Sequence, residues 1–350
     1  MAAPSISIII NNFNYARFLR QSIDSALGQT HPRIEVIVVD DVSTDESRDI
    51  IRSYGDRVRP VLHEKNGGQG AALNSGFEAS RGEVVIFLDA DDYLYPEAAA
   101  RVAAAWREGL TTLQYRLHLL DAAGTILDVL PPPETGFDIG NVVPKLLATG
   151  RYEGTVTSGN AFGRAALEKV MPIPPEAFRI SADGYLVSTV PFYGEVSALE
   201  TPLGVYRLHG GNLWQAAPNL VWRFRRALLH DLDKHRYLAE RAAMFSLAPR
   251  PQPGLSDYQH LGVRMASLCL DPAEHPFPSD TPVRLAAYGV QASARALLPR
   301  RRRALLALWF LAAGLLPRPL ARRVVKWYMD PPSRSLQVKS FLRILRRVTR

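Results

Sequence analysis

One cysteine in 350 residues is the first limit this sequence sets. Cys269 cannot form an intramolecular disulfide, and cysteine-based zinc sites are excluded. Its setting, Ser267-Leu268-Cys269-Leu270, reads as a packed core thiol. Long apolar sequence is also scarce. The uncharged run Ala304 to Leu316 has 13 residues, too short to cross a bilayer, which takes about twenty. The first ten residues lack a basic start, and their apolar run stops at Asn11-Asn12, so they read as a strand and not as a secretory leader. No internal repeat or low-complexity tract appears. Acidic residues are nearly missing from one region. The last sixty residues carry 15 Lys+Arg and one acid, leaving 27 basic against 33 acidic residues in the rest. The basic balance of the chain therefore belongs to its tail, and the body is mildly acidic.

What is present is globular. Hydrophobic residues make up 47% and charged residues 22%, enough for one large or two modest domains with a core. The first hundred residues alternate strand and helix. Ser5 to Ile10, Ile34 to Val39, Arg57 to His63 and Glu83 to Leu88 read as strands, the third near an edge because of Pro60. Ala16 to Leu27 has helical spacing closed by Gly28. Ser43 and Glu46 form a capping box for a helix over 45–54, and Gln69 to Ser80 is a third helix. Pro96 suits the first turn of a fourth. This order predicts a doubly wound α/β sheet with mainly parallel strands. After Gly109 the pattern changes to a hairpin around Asp121–Gly124, a strand near Gly159–Phe162, helices at Arg164–Val170 and Ala182–Val190, and extended chain over Ala198–Leu208, so the second half of the sheet is mixed. From Asn219 the chain reads helical, with proline-rich stretches over 248–254 and 271–282 as candidate linkers. Three segments follow: an α/β domain over 1–212, a helical extension over 213–290, and a basic amphipathic segment over 291–350.

Ligands of such sheets collect beyond the carboxyl ends of the strands. That brings together Asn11–Asn14, Asp40–Ser43 and Asp89–Asp92. Three carboxylates within four positions repel one another unless a cation sits among them. A hard divalent ion held by oxygen ligands relieves this and leaves positions for substrate phosphates; a solvated cap on the following helix is the alternative. Asp41 ends the second strand, where a carboxylate can accept from a nucleobase or ribose, or merely cap a turn. Asn66–Gly76 is glycine-rich but matches neither the dinucleotide fingerprint nor a P-loop. It reads as a close backbone approach to a ligand or as a flexible turn.

Taken in order, SIIINNFNYARFLRQSIDSALGQT, VIVVDDVSTDES, NGGQGAALNSGFEASRGEVVIFLDADD, FRISADGYL and VYRLHGGN resemble family 2 glycosyltransferases of the GT-A fold, over about residues 4–212. The resemblance implies a nucleotide-diphosphate sugar donor, a UDP-sugar being the leading candidate, a divalent cation (Mn²⁺ or Mg²⁺) and inversion at the anomeric carbon. It implies that Asn11 and Phe13 line the nucleotide pocket, that Asp41 binds the base, and that Asp89 faces the ribose and sugar. Asp91 and Asp92 would hold the metal with His209 near the diphosphate, and Asp183 would be the catalytic base. Two positions depart from the pattern: Ala182 stands where a glutamate often precedes the base, and Leu73 stands where an arginine is usual near Asn74. Asp183 also suits a helix N-cap, and His209 a turn before Gly210-Gly211.

Two other readings compete. A sugar-phosphate nucleotidyltransferase would carry a glycine-rich basic loop after the first strand, where this chain has NNFNYAR. A non-catalytic glycosyltransferase-like scaffold is kept open by Ala182 and Leu73.

In the tail, Arg300–Arg303 precede the uncharged run, and Pro317, Arg318, Arg322, Arg323 and Lys326 follow it, with Trp327 and Tyr328 beside them. Val338, Phe341, Leu342, Leu345 and Val348 would share a helical face, with Arg343, Arg346, Arg347 and Arg350 away from it. Cations and aromatics around an apolar run too short to span suit the interface of an anionic membrane; packing on the body is the alternative. Nucleic acid is not expected, since acidic loops repel phosphodiesters and no stacking platform is evident. The expectation is a cytoplasmic protein held at the inner face of the cell membrane, acting on a hydroxyl acceptor that is lipid-linked or part of a cell-surface polysaccharide precursor.

Overall fold

The chain begins as the alternation predicts. In the computed structural model, which describes residues 3–212, 219–249, 254–296 and 298–329, β1 (Ile6–Asn12), α1 (Ala16–Leu27), β2 (Ile34–Asp40), α2 (Ser47–Ser53), β3 (Arg59–Leu62), α3 (Gly68–Ala79) and β4 (Val84–Asp89) follow one another. Next come β5 (Tyr93–Leu94), α4 (Ala98–Ala105), the β6–β7 hairpin (Leu110–Leu120, Ile126–Leu130), α5 (Val143–Thr149), β8 (Asn160–Gly163), α6 (Arg164–Val170), α7 (Asp183–Thr189) and β9 (Glu195–Arg207). The sheet order is β3-β2-β1-β4-β8-β6-β9-β5, with β7 paired to β6. β1, β2, β3 and β4 are mutually parallel, whereas β8 is antiparallel to both β4 and β6. The expected doubly wound sheet with a mixed second half is present.

Side chains alternate across β1, so its isoleucines serve two cores. Ile6, Ile8 and Ile10 pack with Leu19, Ile23 and Ala26 of α1 and Val102 of α4. Ile9 packs with Ile37 and Val39 of β2, Leu73 and Phe77 of α3, and Leu186 of α7. Helices thus cover both faces, and the strands are apolar because neither face meets water.

The helix at 45–54 differs from its sequence reading. α2 starts at Ser47, with Glu46 at its N-cap and no side-chain cap bond. The Ser43 hydroxyl instead accepts from the Asn14 N–H (2.9 Å) and the Asn12 amide (3.1 Å). Asp45 does the local capping, accepting from the Ser47 and Ala16 N–H groups. Ser43 is drawn away because tying the β1 and β2 ends together satisfies two donors that a helix cap would leave open.

By their contacts the residues form two units, Met1–Gln215 with Asp233–Pro249, and Ala216–Leu232 with Arg250–Arg350. The second contains most of the helical region: α8 (Leu220–Ala243) up to Leu232, α9 (Tyr258–Leu270), α10 (Pro282–Arg295), α11 (Arg300–Leu315) and α12 (Arg318–Met329). Its core gathers Leu261, Met265, Leu285, Trp309, Phe310 and Val325. The stretch 271–282 is not a free linker. The Asp280 side chain is only 3% exposed and accepts from Arg264 Nε (2.8 Å), and Arg264 lies 3.7 Å over the Phe277 ring. A buried arginine needs such a partner, and this one ties the segment to α9.

α11 buries Leu306, Trp309, Phe310 and Ala313 on one side, while Leu305, Leu308, Leu311 and Leu315 are exposed on the other. No helix among the described residues is long and apolar enough to cross a membrane. The expected face from Val338 to Val348 lies outside the described residues.

Candidate active site

Strand register assembles the first part of the site. Asn11 pairs with Asp89 across β1–β4, and Asn12 pairs with Asp40 across β1–β2. The Asn11 amide donates to Asp89 Oδ1 at 3.0 Å, and the Asn12 amide donates to Asp40 Oδ2 at 3.0 Å. Asp40 also accepts from Arg48 Nε (2.7 Å) and the Ser43 N–H (3.1 Å), so it braces the loop. Phe13, next along the chain, keeps an exposed ring.

Asp41 is buried and accepts from Gly67 N–H (2.8 Å) at Oδ1 and Gly68 N–H (2.7 Å) at Oδ2. His63 Nδ1 lies 2.8 Å from the same Oδ1, and His63 Nε2 lies 2.9 Å from Ser75 Oγ. Charge-assisted bonds of this kind contribute roughly 1.5–3 kcal/mol each. The glycine-rich segment is therefore held against the end of β2, which settles its flexible-turn alternative.

The carboxylates after β4 divide into different settings. Asp92 is buried, accepting from the Ser158 hydroxyl (2.6 Å) and the Arg207 N–H (3.0 Å). Burial, then repulsion by Asp91 and Asp89, raises its carboxyl well above the ordinary range. Loss of water, then the charge of Asp91, pushes Asp89 up to about 7, against the bonds from Asn11 and Gln69. Asp91 Oδ2 lies 2.9 Å from His209 Nε2. His209 arrives because β9 pairs antiparallel with β5, Tyr93 opposite Val205, and so runs back past the acidic turn. Its ring is buried against Phe18, centroids 4.8 Å apart, and Arg17 Nη2 lies 3.0 Å from its Nδ1.

Asp183 begins α7 and makes no cap bond of the N-cap kind, that position being Ala182. Burial raises its carboxyl, while Lys234 and nearby backbone N–H groups pull it down. Its charge is felt at Asp89, so the two lie in one electrostatic neighbourhood. Ser181 just before it has φ +54°, Val42 after Asp41 has φ +67°, and Asn14 after Phe13 has φ +59°. Left-handed non-glycine residues cost free energy and gather at functional loops.

Sequence reasoning overlooked several groups here. Ser158 bonds both to Asp92 and, through its Oγ, to the Asp89 N–H at 3.1 Å. Arg207 donates from Nε to the Asp91 carbonyl (2.7 Å) and lies 4.9 Å over Phe18. Gln69 joins Asp89 to the Ala182 backbone. Arg207 sits two residues before His209 in a stretch already singled out; Ser158 and Gln69 carry no local signal.

Among the described residues no three His, Cys, Asp or Glu side chains come together in metal-holding geometry. Asp91 Oδ2 and His209 Nε2 lie 2.9 Å apart as a hydrogen-bonded pair, beside Asp89 and Asp92, whose carboxyls are raised first by burial and then by the neighbouring carboxylates. Such a pair fits an Mg²⁺- or Mn²⁺-type ion that takes its other oxygens from a diphosphate and water.

Residues 7–117 match the family model described as glycosyl transferase family 2. A glycosyltransferase of Nostoc sp., itself uncharacterized, is 40% identical over 215 residues, which cover 59% of this chain and 66% of that protein. The chain belongs to glycosyltransferase family 2. That membership excludes the sugar-phosphate nucleotidyltransferase alternative. The GT-A glycosyltransferase fold also recurs in solved structures. TarS 1–349 of S. aureus, solved with UDP-GlcNAc, has a TM-score of 0.50 at 18% identity, covering 93% of this chain and 92% of that one. A mannosyltransferase of Pyrobaculum calidifontis, solved with GDP-Man and Mn²⁺, has a TM-score of 0.50 at 19% identity, covering 93% and 84%. Within this family 2 chain, Leu73 is fully buried beside Ile9 and Phe77, so the position that departs from the arginine pattern contributes packing and no charge.

Proposed function

We propose that the protein is an inverting, metal-dependent glycosyltransferase that moves a sugar from a nucleotide-diphosphate sugar, a UDP-sugar first among the candidates, to an acceptor hydroxyl. One observation carries the reading: Asp41, Asp89 and the backbone ahead of Asp183 all meet on the Asn66–Gly70 segment, with Asp91 and His209 alongside. A scaffold that only bound partners would have no need of buried, mutually repelling carboxylates.

In this reading Asn11 and Phe13 line the nucleotide pocket, Asp41 fixes the loop under the base with an oxygen left to accept from it, and Asp89 faces the ribose and sugar. Asp183 takes the proton of the acceptor hydroxyl as its oxygen attacks the anomeric carbon from the side opposite the leaving diphosphate. A carboxylate raised by burial holds that proton better than an ordinary one. Arg17 and Arg207, stacked on Phe18, stand near enough to His209 and Asp91 to meet diphosphate oxygens. Asp91 and His209 would hold Mn²⁺ or Mg²⁺, with Asp92 fixing the turn; the ion, when bound, stabilises the negative charge of the departing diphosphate.

The acceptor is proposed to be lipid-linked, a precursor of a cell-surface polysaccharide, with the protein peripheral on the cytoplasmic face of the membrane. The supporting observation is α11, whose outward leucines have arginines before them and Arg318, Arg322, Arg323 and Lys326, all exposed, after them. A helix apolar all round is ordinarily buried, and a cation-rimmed apolar face fits an anionic bilayer surface.

Incubating the full chain with UDP-, GDP- and dTDP-sugars and Mn²⁺ tests the catalytic reading. Release of nucleotide from one donor is expected, suppressed by EDTA and lost in Asp91→Ala. Equal release by Asp91→Ala, or none from any donor by the unaltered protein, rejects it.

A further inference from the structure

Gln69 spans two loops that the mechanism keeps apart. Its Nε2 donates to Asp89 Oδ1 at 2.8 Å, and its Oε1 accepts the Ala182 N–H at 3.0 Å. Its own backbone N–H donates to the Arg179 carbonyl at 2.7 Å, and that of Gly70 to the Phe178 carbonyl at 3.0 Å. The flanking glycines show how tightly the chains meet. A Cβ at position 68, where φ is +80°, would lie 2.6 Å from the Arg179 oxygen, and one at position 70 would lie 2.7 Å from the Phe178 oxygen. Glycine, glutamine, glycine is thus the sequence that lets the first turn of α3 seat directly on the 178–182 backbone.

Only a side-chain amide serves both ends at this reach. A carboxylate would repel Asp89, an apolar chain would leave the Ala182 N–H open, and asparagine is one methylene short. Ala182 has no polar side chain of its own, so its backbone is where the loop can be held.

We propose that Gln69 is a positioning residue that fixes the catalytic base relative to the donor-facing carboxylate, by clamping Asp89 to the amide immediately before Asp183. This rests on the glycosyltransferase reading, which supplies the roles of Asp89 and Asp183. In this role Gln69 acts through Asp89 and the Ala182 amide, and not by contact with donor or acceptor. A misplacement of about 1 Å at a reacting group lowers turnover by on the order of a hundredfold, so the clamp acts on the rate and leaves donor binding alone.

The test uses the full chain with whichever of the UDP-, GDP- and dTDP-sugars it turns over, in Mn²⁺. Nucleotide affinity is measured by calorimetry, turnover by nucleotide release, and backbone hydrogen exchange across 178–186 by mass spectrometry. Gln69→Met is expected to keep nucleotide affinity within about threefold while turnover falls by about a hundredfold, with faster exchange across 178–186 and unchanged exchange in β1 and β4. Gln69→Glu, which still accepts from Ala182 but repels Asp89, is expected to lose turnover with a smaller change in exchange. Turnover within about threefold of the parent in both variants overturns the proposal alone, as does a nucleotide affinity that falls in step with turnover, which would make Gln69 a donor contact. A parent protein that turns over none of these donors overturns the glycosyltransferase reading, and the clamp with it.

Discussion

In the first unit Asp41, Asp91 and Asp92 are buried; in the second, Leu305, Leu308 and Leu315 are each more than half exposed. Both patterns oppose the ordinary partition of side chains between water and core, but they are supported differently. The buried carboxylates are held by named donors, Gly67, Gly68, Ser158 and the Arg207 N–H. Among the described residues of the second unit, nothing covers the exposed leucines. The acidic cluster is thus a finished arrangement whose free energy cost is met by the fold around it, whereas the leucine face is stable only because the opposite side of the same helix is anchored by Trp309 and Phe310. In the reading proposed above, the first region receives the donor and the second meets a membrane surface.

The most severe way to break the first half of this contrast is Asp183→Asn. The amide is isosteric but cannot take the acceptor's proton, so turnover should fall by about 10²–10⁴-fold with nucleotide affinity retained, as read by single-turnover nucleotide release beside calorimetry. A variant that keeps its rate would leave Asp183 as the start of a helix and nothing more.

A smaller effect probes the second half. Replacing Leu305 or Leu308 with aspartate removes an apolar group worth roughly 1.5–3 kcal/mol when fully buried and adds repulsion toward anionic lipid. Co-sedimentation with phosphatidylserine-containing vesicles should weaken by about tenfold or more per site, and raised salt should weaken the parent's binding too. If both variants sediment like the parent, the leucine face has another occupant, the segment from Asp330 onward or a second copy of the chain. Sedimentation equilibrium separates those two.

The two regions also differ in how far the sequence announced them. The acidic turn after β4 and the strand order that exposes it follow from an apolar run ending in Asp89, Asp91 and Asp92, because alternation and strand-end chemistry act locally. What local pattern does not specify is which carboxylate the fold uses for itself. Asp92 is engaged by Ser158, 66 positions away, and Asp91 faces His209, 118 positions away; these pairings exist only once β8 and β9 are in the sheet. Ser43 misled for the same reason, since its partners Asn12 and Asn14 compete successfully with a local cap. The stretch 271–282 looked like a linker from its prolines, because nothing near it in sequence predicts the salt bridge between Asp280 and Arg264 on α9. Gln69 was hidden most completely, as glutamine on a first helical turn is ordinary until the backbone of Ala182 is brought beside it.

The smallest expected effect concerns stability. Burial raises the Asp183 carboxyl in the folded chain above its unfolded value. Between those two values the native state binds more protons than the unfolded state, so this group's contribution to stability falls as pH rises from the ordinary carboxylate range through the raised value. Lys234 limits the loss without abolishing it, since the net shift is still upward. Asparagine at 183 has no proton to lose. The Asp183→Asn variant should therefore unfold at a higher temperature than the parent at pH 7, with the difference closing as the buffer is taken below the ordinary carboxylate range. A difference of the opposite sign at pH 7 would mean that the ionised side chain stabilises this fold, and that the aspartate is kept at the head of α7 for the helix. A rise in melting temperature accompanied by loss of turnover is the signature of a group retained for chemistry at the expense of the fold.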